Sequence, residues 1–107
     1  MNKQARKDLN KIIKAVTLGT EPVDWTEVAG FIVSTILTGD CGYETAILDA
    51  LGFAYPVERY KTLKLAEQGH QQWIKKCQDG LKEVTRLGYG PGSSVPDRVV
   101  TLSPRKG

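Results

Sequence analysis

Apolar residues in the first half of the chain recur mostly at three- and four-residue steps. Leu9, Ile12, Ile13 and Val16 fall on one helical stripe, while Lys3, Arg6, Lys7, Lys11 and Lys14 take mostly other faces. The spacing predicts a helix over 3–17, with Gly19 as its stop. After the connection at 20–23, Asp24 and Glu27 have the spacing of a capping box. They predict a helix over 25–38. Its apolar residues, among them Trp25, Val28, Phe31, Ile32, Ile36 and Leu37, cover more than one face, as in a heavily buried element. The run Phe31–Leu37 is also rich in β-formers, so a strand is the competing assignment there. The cap and the spacing favour the helix.

Gly39–Gly42 reads as a turn. Residues 43–51 read as a short helix with Tyr43, Ile47, Ala50 and Leu51 on one side, closed by Gly52. Pro56 suits the first turn of a longer helix. In that helix Tyr60, Leu63, Glu67, His70, Ile74, Cys77, Leu81 and Val84 alternate three- and four-residue steps. Gly69 and Asp79-Gly80 interrupt the stripe, and a break is expected at Asp79-Gly80, ending the helix at 78 or re-angling it to 87. From Gly88 onward the chain is rich in Gly, Pro and Ser. Arg98–Leu102 could form one short strand, but no partner strand is evident.

These elements together predict an all-α fold: a bundle of about four helices in one domain, 1–87, with an extended or flexible tail, 88–107. With 107 residues and 40% hydrophobic content, the chain can build one modest core. No apolar run approaches the roughly 18 residues of a membrane span. No export signal is evident, so a cytoplasmic setting with no membrane partner is expected. In that setting Cys41 and Cys77 are expected to be free thiols.

Charge adds what the periodicity leaves out. The net charge is only +3, but it is unevenly placed. Residues 15–56 hold six acids and no base, whereas 1–14 and 57–86 are basic. Helix capping would account for Asp24 and Glu27. The remaining segregation favours oriented encounter with a charged partner or head-to-tail self-association.

Motifs for chemistry are sparse. There is no Walker A loop, GxGxxG, HExxH or GxSxG. One histidine and two cysteines without a CxxC do not make a zinc ligand set, so no metal or cofactor is expected. His70 is the one candidate proton-transfer histidine, with Glu67 at i−3. Cys77 lies about 10 Å further along a helix, too far to be activated by it. Polar residues within an apolar seam can fix oligomeric state, so Glu67, His70 and Ile74 are candidates for a homodimer seam.

The segment Ile47–Phe53, followed by Pro56–Tyr60, resembles a helix-turn-helix, whose second helix would present Arg59, Lys61 and Lys64 to DNA. Ser103-Pro104-Arg105-Lys106 resembles the basic Ser-Pro tails of histone-like proteins. The first expectation is nevertheless a small non-enzymatic regulator, adaptor or inhibitor that binds a protein partner. Its candidate binding surface is Lys3, Arg6, Lys7, Arg59, Lys61, Lys64, Lys75 and Lys76. A DNA-binding regulator is the alternative.

Overall fold

In a computed structural model, the described residues (21–39, 42–88 and 95–104) form an antiparallel four-stranded sheet, one helix and a two-stranded sheet. The strands β1 (Glu21–Val28), β2 (Phe31–Leu37), β3 (Tyr43–Leu48) and β4 (Ala54–Tyr60) run in sequential order as a meander. Helix α1 (Leu63–Gln78) packs across them. The strands β5 (Glu83–Arg86) and β6 (Arg98–Thr101) pair antiparallel. The Leu87 N–H donates to the Pro56 carbonyl at 2.8 Å, which ties the end of β5 to β4.

This arrangement overturns the all-α bundle. Of the four expected helices, 25–38 is the β1–β2 hairpin, 43–51 is mostly β3, and 56–60 belongs to β4. The expected helix 3–17 lies outside the described residues. The expected helix-turn-helix geometry is absent, because Ile47–Leu48 and Pro56–Tyr60 are neighbouring strands of one sheet. The break at Asp79-Gly80 does occur: Asp79 caps α1 and Gly80 follows with φ 96°, in the left-handed region. Residues 83–86 supply the partner that the strand at 98–101 had lacked.

The β-formers of 31–37 decide the local structure, and a tight turn closes it. Val28 pairs with Phe31 across Ala29-Gly30, whose φ values of 52° and 85° are both left-handed. Turns of that hand match the twist of a hairpin. Asp24 does not cap a helix; its Oδ1 accepts from the Trp25 N–H at 2.8 Å, beside an irregularity in β1 between Pro22 and Asp24. A second irregularity, in β4, leaves Val57 as an extra residue between Pro56 and Glu58. Both Val57 and Glu58 thereby turn toward α1. Val57 joins the core cluster, and Glu58 accepts from the Trp73 indole at 2.8 Å.

The sheet buries residues on both faces. Val33, Thr35, Thr45 and Ile47 face α1 and are enclosed. On the opposite face Trp25 pairs with Ser34, and both are buried, with Trp25 4% exposed. The main apolar cluster joins Phe31, Val33, Ile47 and Val57 of the sheet to Trp73 and Cys77 of α1 and to Val84 and Leu102. Full burial of an Ile or Val side chain contributes roughly 1.5–3 kcal/mol.

The buried stripe of α1 is Ala66, Gly69, His70, Trp73 and Cys77. The helical period was therefore correct, but its centre is displaced. Leu63 is 47% exposed, Glu67 is exposed, and Ile74 is half-buried against the core. Gly69 lies inside the continuous helix Leu63–Gln78. It admits Tyr60, since a Cβ there would overlap the Tyr60 ring and hydroxyl.

Candidate interaction surface

Two places concentrate polar chemistry and exposed apolar surface. One is interior. His70 is completely enclosed, with Nδ1 2.7 Å from the Thr35 hydroxyl and Nε2 2.9 Å from the Thr26 hydroxyl. Asp24 Oδ2 stands 3.5 Å from the same Nε2. Thr35 and Thr45 hydroxyls lie 2.6 Å apart, Thr45 is 3.1 Å from the Tyr60 hydroxyl, and Tyr60 is 3.0 Å from Glu58 Oε1.

Counting one proton per contact orders this chain. The Tyr60 phenol donates to the Glu58 carboxylate. Thr45 then donates to Tyr60, Thr35 to Thr45, and His70 Nδ1–H to Thr35. At Nε2 the ring meets the Thr26 hydroxyl, with Asp24 Oδ2 beside it. The carboxylate and the hydroxyl thus address the same ring nitrogen. They do not flank the imidazole as an orienting acid and a nucleophile would. What the chain does is hold α1 in register on β1, β2, β3 and β4 at once. Burial, and then the Glu58 hydrogen bond and charge, push the Tyr60 phenol up to about 12. Burial pushes the Cys77 thiol up to about 11.

The other place is the β3–β4 loop. Asp49 organises it: Oδ1 accepts from the N–H of Leu51 at 2.9 Å and of Phe53 at 3.2 Å, and Oδ2 accepts from the Tyr55 hydroxyl at 3.4 Å. Burial, and then the Asp49 carboxylate, raise the Tyr55 phenol above its ordinary value. The backbone closes the rest. Asp49 N–H donates to the Phe53 carbonyl, Gly52 N–H to the Asp49 carbonyl, and Ala50 N–H to the Ser103 carbonyl. Every N–H from 49 to 53 is therefore used. Gly52, at φ 84°, supplies the left-handed step that the loop needs.

The result is a fixed loop whose apolar side chains point into solvent. Leu51 is 74% exposed and Phe53 58%. The Ala29-Gly30 turn lies at the same end of the sheet, because Ile32 pairs with Leu48. A mostly apolar cleft of about 420 Å³ opens there, lined by Val28, Phe31, Ile32 and Leu48 with Glu27 and Asp49. A second cleft, of about 540 Å³, lies at the opposite end and carries the carboxylates of Glu21, Asp24 and Glu67.

The expected basic surface is dispersed. Arg59 points away from α1 and is paired with Glu44 at 3.0 Å. Lys61 precedes α1 and Lys64 lies in its first turn. Lys75 and Lys76 occupy the last turn, where cations complement the helix dipole, and Lys76 Nζ sits 4.0 Å from the Trp73 ring centre. Lys3, Arg6 and Lys7 lie outside the described residues. Of the proposed seam, His70 is enclosed and Ile74 packs inward, so they offer no shared exposed face with Glu67. Leu51 and Phe53 were missed because they were read as the end of a helix and its following turn. The signal was Asp49 two and four residues before two large apolar residues, with Gly52 between them, the pattern of an Asx-braced loop.

No protein-family model, curated protein or solved structure matches the chain. No helix among the described residues is long and apolar enough to cross a membrane.

Proposed function

We propose that this protein is a small non-enzymatic interaction protein that binds a protein partner through the sheet end bearing Leu51 and Phe53. One observation carries the reading: a loop with every backbone donor satisfied still leaves two large apolar side chains in water. A flexible loop could fold such residues inward, whereas this one is held open by Asp49. Rigid apolar anchors beside an apolar cleft are what concentrates binding energy in protein interfaces. The free, buried thiol of Cys77 fits a reducing, cytoplasmic setting.

The test is affinity capture from the native host with the wild-type chain and with the L51S/F53S double variant, in nuclease-treated lysate. A protein captured stoichiometrically by the wild type and lost with the double variant is the expected result. Capture that the variant leaves unchanged would refute this surface.

A further inference from the structure

We infer that Arg86 and Arg98 form a binding site for a phosphate monoester. It lies at the end of the β5–β6 hairpin opposite to the Lys82–Ser103 end that meets Ala50, and is therefore separate from the Leu51/Phe53 loop. The two arginines are directly paired across the strands. Residues two apart on a strand share a face, so both lie on the face that carries Val84 and Val100. That face packs inward: Val84 is buried in the core cluster and Val100 lies against it. The arginines stand where this inner face leaves the core, Arg86 half-buried and Arg98 exposed. Paired antiparallel positions place Cβ atoms about 4.5–5.5 Å apart, so both guanidiniums can reach one ligand.

The backbone holds the pair in place. Leu87 N–H donates to the Pro56 carbonyl at 2.8 Å, and Gly88 N–H to Asp97 Oδ1 at 2.7 Å. Gly88 also runs tightly past the opposite chain, where a Cβ would overlap the Val95 carbonyl. Like charges at paired strand positions repel, and a guanidinium cannot shed its proton to relieve this. No carboxylate among the described residues forms an ion pair with either arginine. Asp97 is engaged by Gly88, and Glu83 is paired with Thr101 on the other face of the hairpin. Arg86 Nη2 donates to the Pro96 carbonyl at 3.1 Å, while its Nε–H is buried with no acceptor. Two positive charges are thus fixed together without a counter-charge. A carboxylate would neutralise one of them. A phosphate monoester brings about two negative charges at pH 7 and three acceptor oxygens, which suits two guanidinium forks. The same chemistry is offered by a free phosphorylated small molecule and by a phosphorylated side chain.

The test is titration of the ¹⁵N-labelled full chain, read at the arginine Nε–H signals. The probes are end-capped phosphoserine, inorganic phosphate and acetate, at constant ionic strength. Capped phosphoserine is expected to give saturable shifts at Arg86 and Arg98 and none at Arg59, which is paired with Glu44. Its affinity should fall at least tenfold in R98Q. It should also fall at pH 5, where the monoester keeps about one charge. L51S/F53S should leave the titration unchanged, so the site stands or falls independently of the apolar loop. Inorganic phosphate binding more tightly than capped phosphoserine would support the site with a small phosphorylated ligand, and the reverse would support it with a phosphorylated side chain. The wild-type signals decide the matter even if R98Q disturbs the hairpin. Absence of saturable shifts at Arg86 and Arg98 would overturn the site, as would acetate binding as tightly as capped phosphoserine. Tighter, R98Q-sensitive binding of a labelled random DNA duplex would overturn the monoester assignment.

Discussion

Helix α1 covers two unlike halves of one sheet. Beneath its C-terminal part, Val33, Ile47, Val57, Trp73 and Cys77 pack as apolar volume. Beneath its N-terminal part, His70, Thr26, Thr35, Thr45 and Tyr60 meet through hydrogen bonds ending on Glu58. The first half contributes most of the burial energy and, apart from Trp73 with its bond to Glu58, tolerates apolar side chains of similar volume. The second contributes less net energy but demands particular partners, because each unmet buried donor or acceptor carries its full desolvation penalty. A one-residue slip of β2 would turn Thr35 away from His70 and bring Ser34 or Ile36 to the helix face. The polar half therefore specifies register, and the apolar half supplies stability.

The sharpest way to break this division is a pair of truncations. Ile47→Ala should cost about 2–5 kcal/mol in urea unfolding, since Ile47 is wholly buried in the apolar half. Thr35→Val keeps shape and removes one hydroxyl; it should cost about 1–3 kcal/mol, by taking the Thr35 hydrogen bond from buried His70 Nδ1 and one of two partners from Thr45. The T35V/T45V double variant should cost clearly less than the sum of its two single changes, because those partners share one chain. Additive losses, or a Thr35→Val cost equal to that of Ile47→Ala, would mean that the polar half is ordinary packing. Gly69→Ala addresses the contact between α1 and Tyr60. Alanine is favoured over glycine in a helix by about 1 kcal/mol, but here the overlap with Tyr60 should reverse the sign, to a loss of about 1–3 kcal/mol. Stabilisation would show that Tyr60 can move aside freely.

The same two halves explain what could be seen in the chain beforehand. Helix α1 and its stop were legible, because Ala66, His70, Trp73 and Cys77 keep the helical period and Gly80 ends it. The sheet was not, for three physical reasons. Thr35 and Thr45 occupy core positions, so the alternation that marks a strand was written partly in polar residues. Trp25 and Ser34 are buried on the far face, so β1 and β2 show no clean polar side. The extra residue at Val57 makes Tyr55, Val57, Glu58 and Tyr60 step like a helix rather than by twos. With β4 read as helix, its Arg59 was assigned to a DNA-facing surface, while the Asp49-braced loop was passed over.

The smallest expected effect separates the two halves by pH. Cys77 belongs to the apolar half and Tyr60 to the polar one, and both hold their protons more tightly than in the unfolded chain. The folded values are about 11 for Cys77 and about 12 for Tyr60, against ordinary values of 9.0 and 10.0. Between pH 9 and 12 the unfolded chain thus binds fewer protons than the folded one, and stability falls as pH rises. Below pH 9 both contributions are fully present. Cys77→Val should flatten the fall between pH 9 and 11, and Tyr60→Phe should flatten it between pH 10 and 12, each measured as urea midpoint against pH. Tyr60→Phe should also lower the midpoint at neutral pH, since Thr45 and Glu58 lose a partner, whereas Cys77→Val replaces one buried apolar-sided group with another. If Cys77→Val produced the larger loss at neutral pH and Tyr60→Phe none, the hydrogen-bonded half would not be the part that specifies how the helix sits on the sheet.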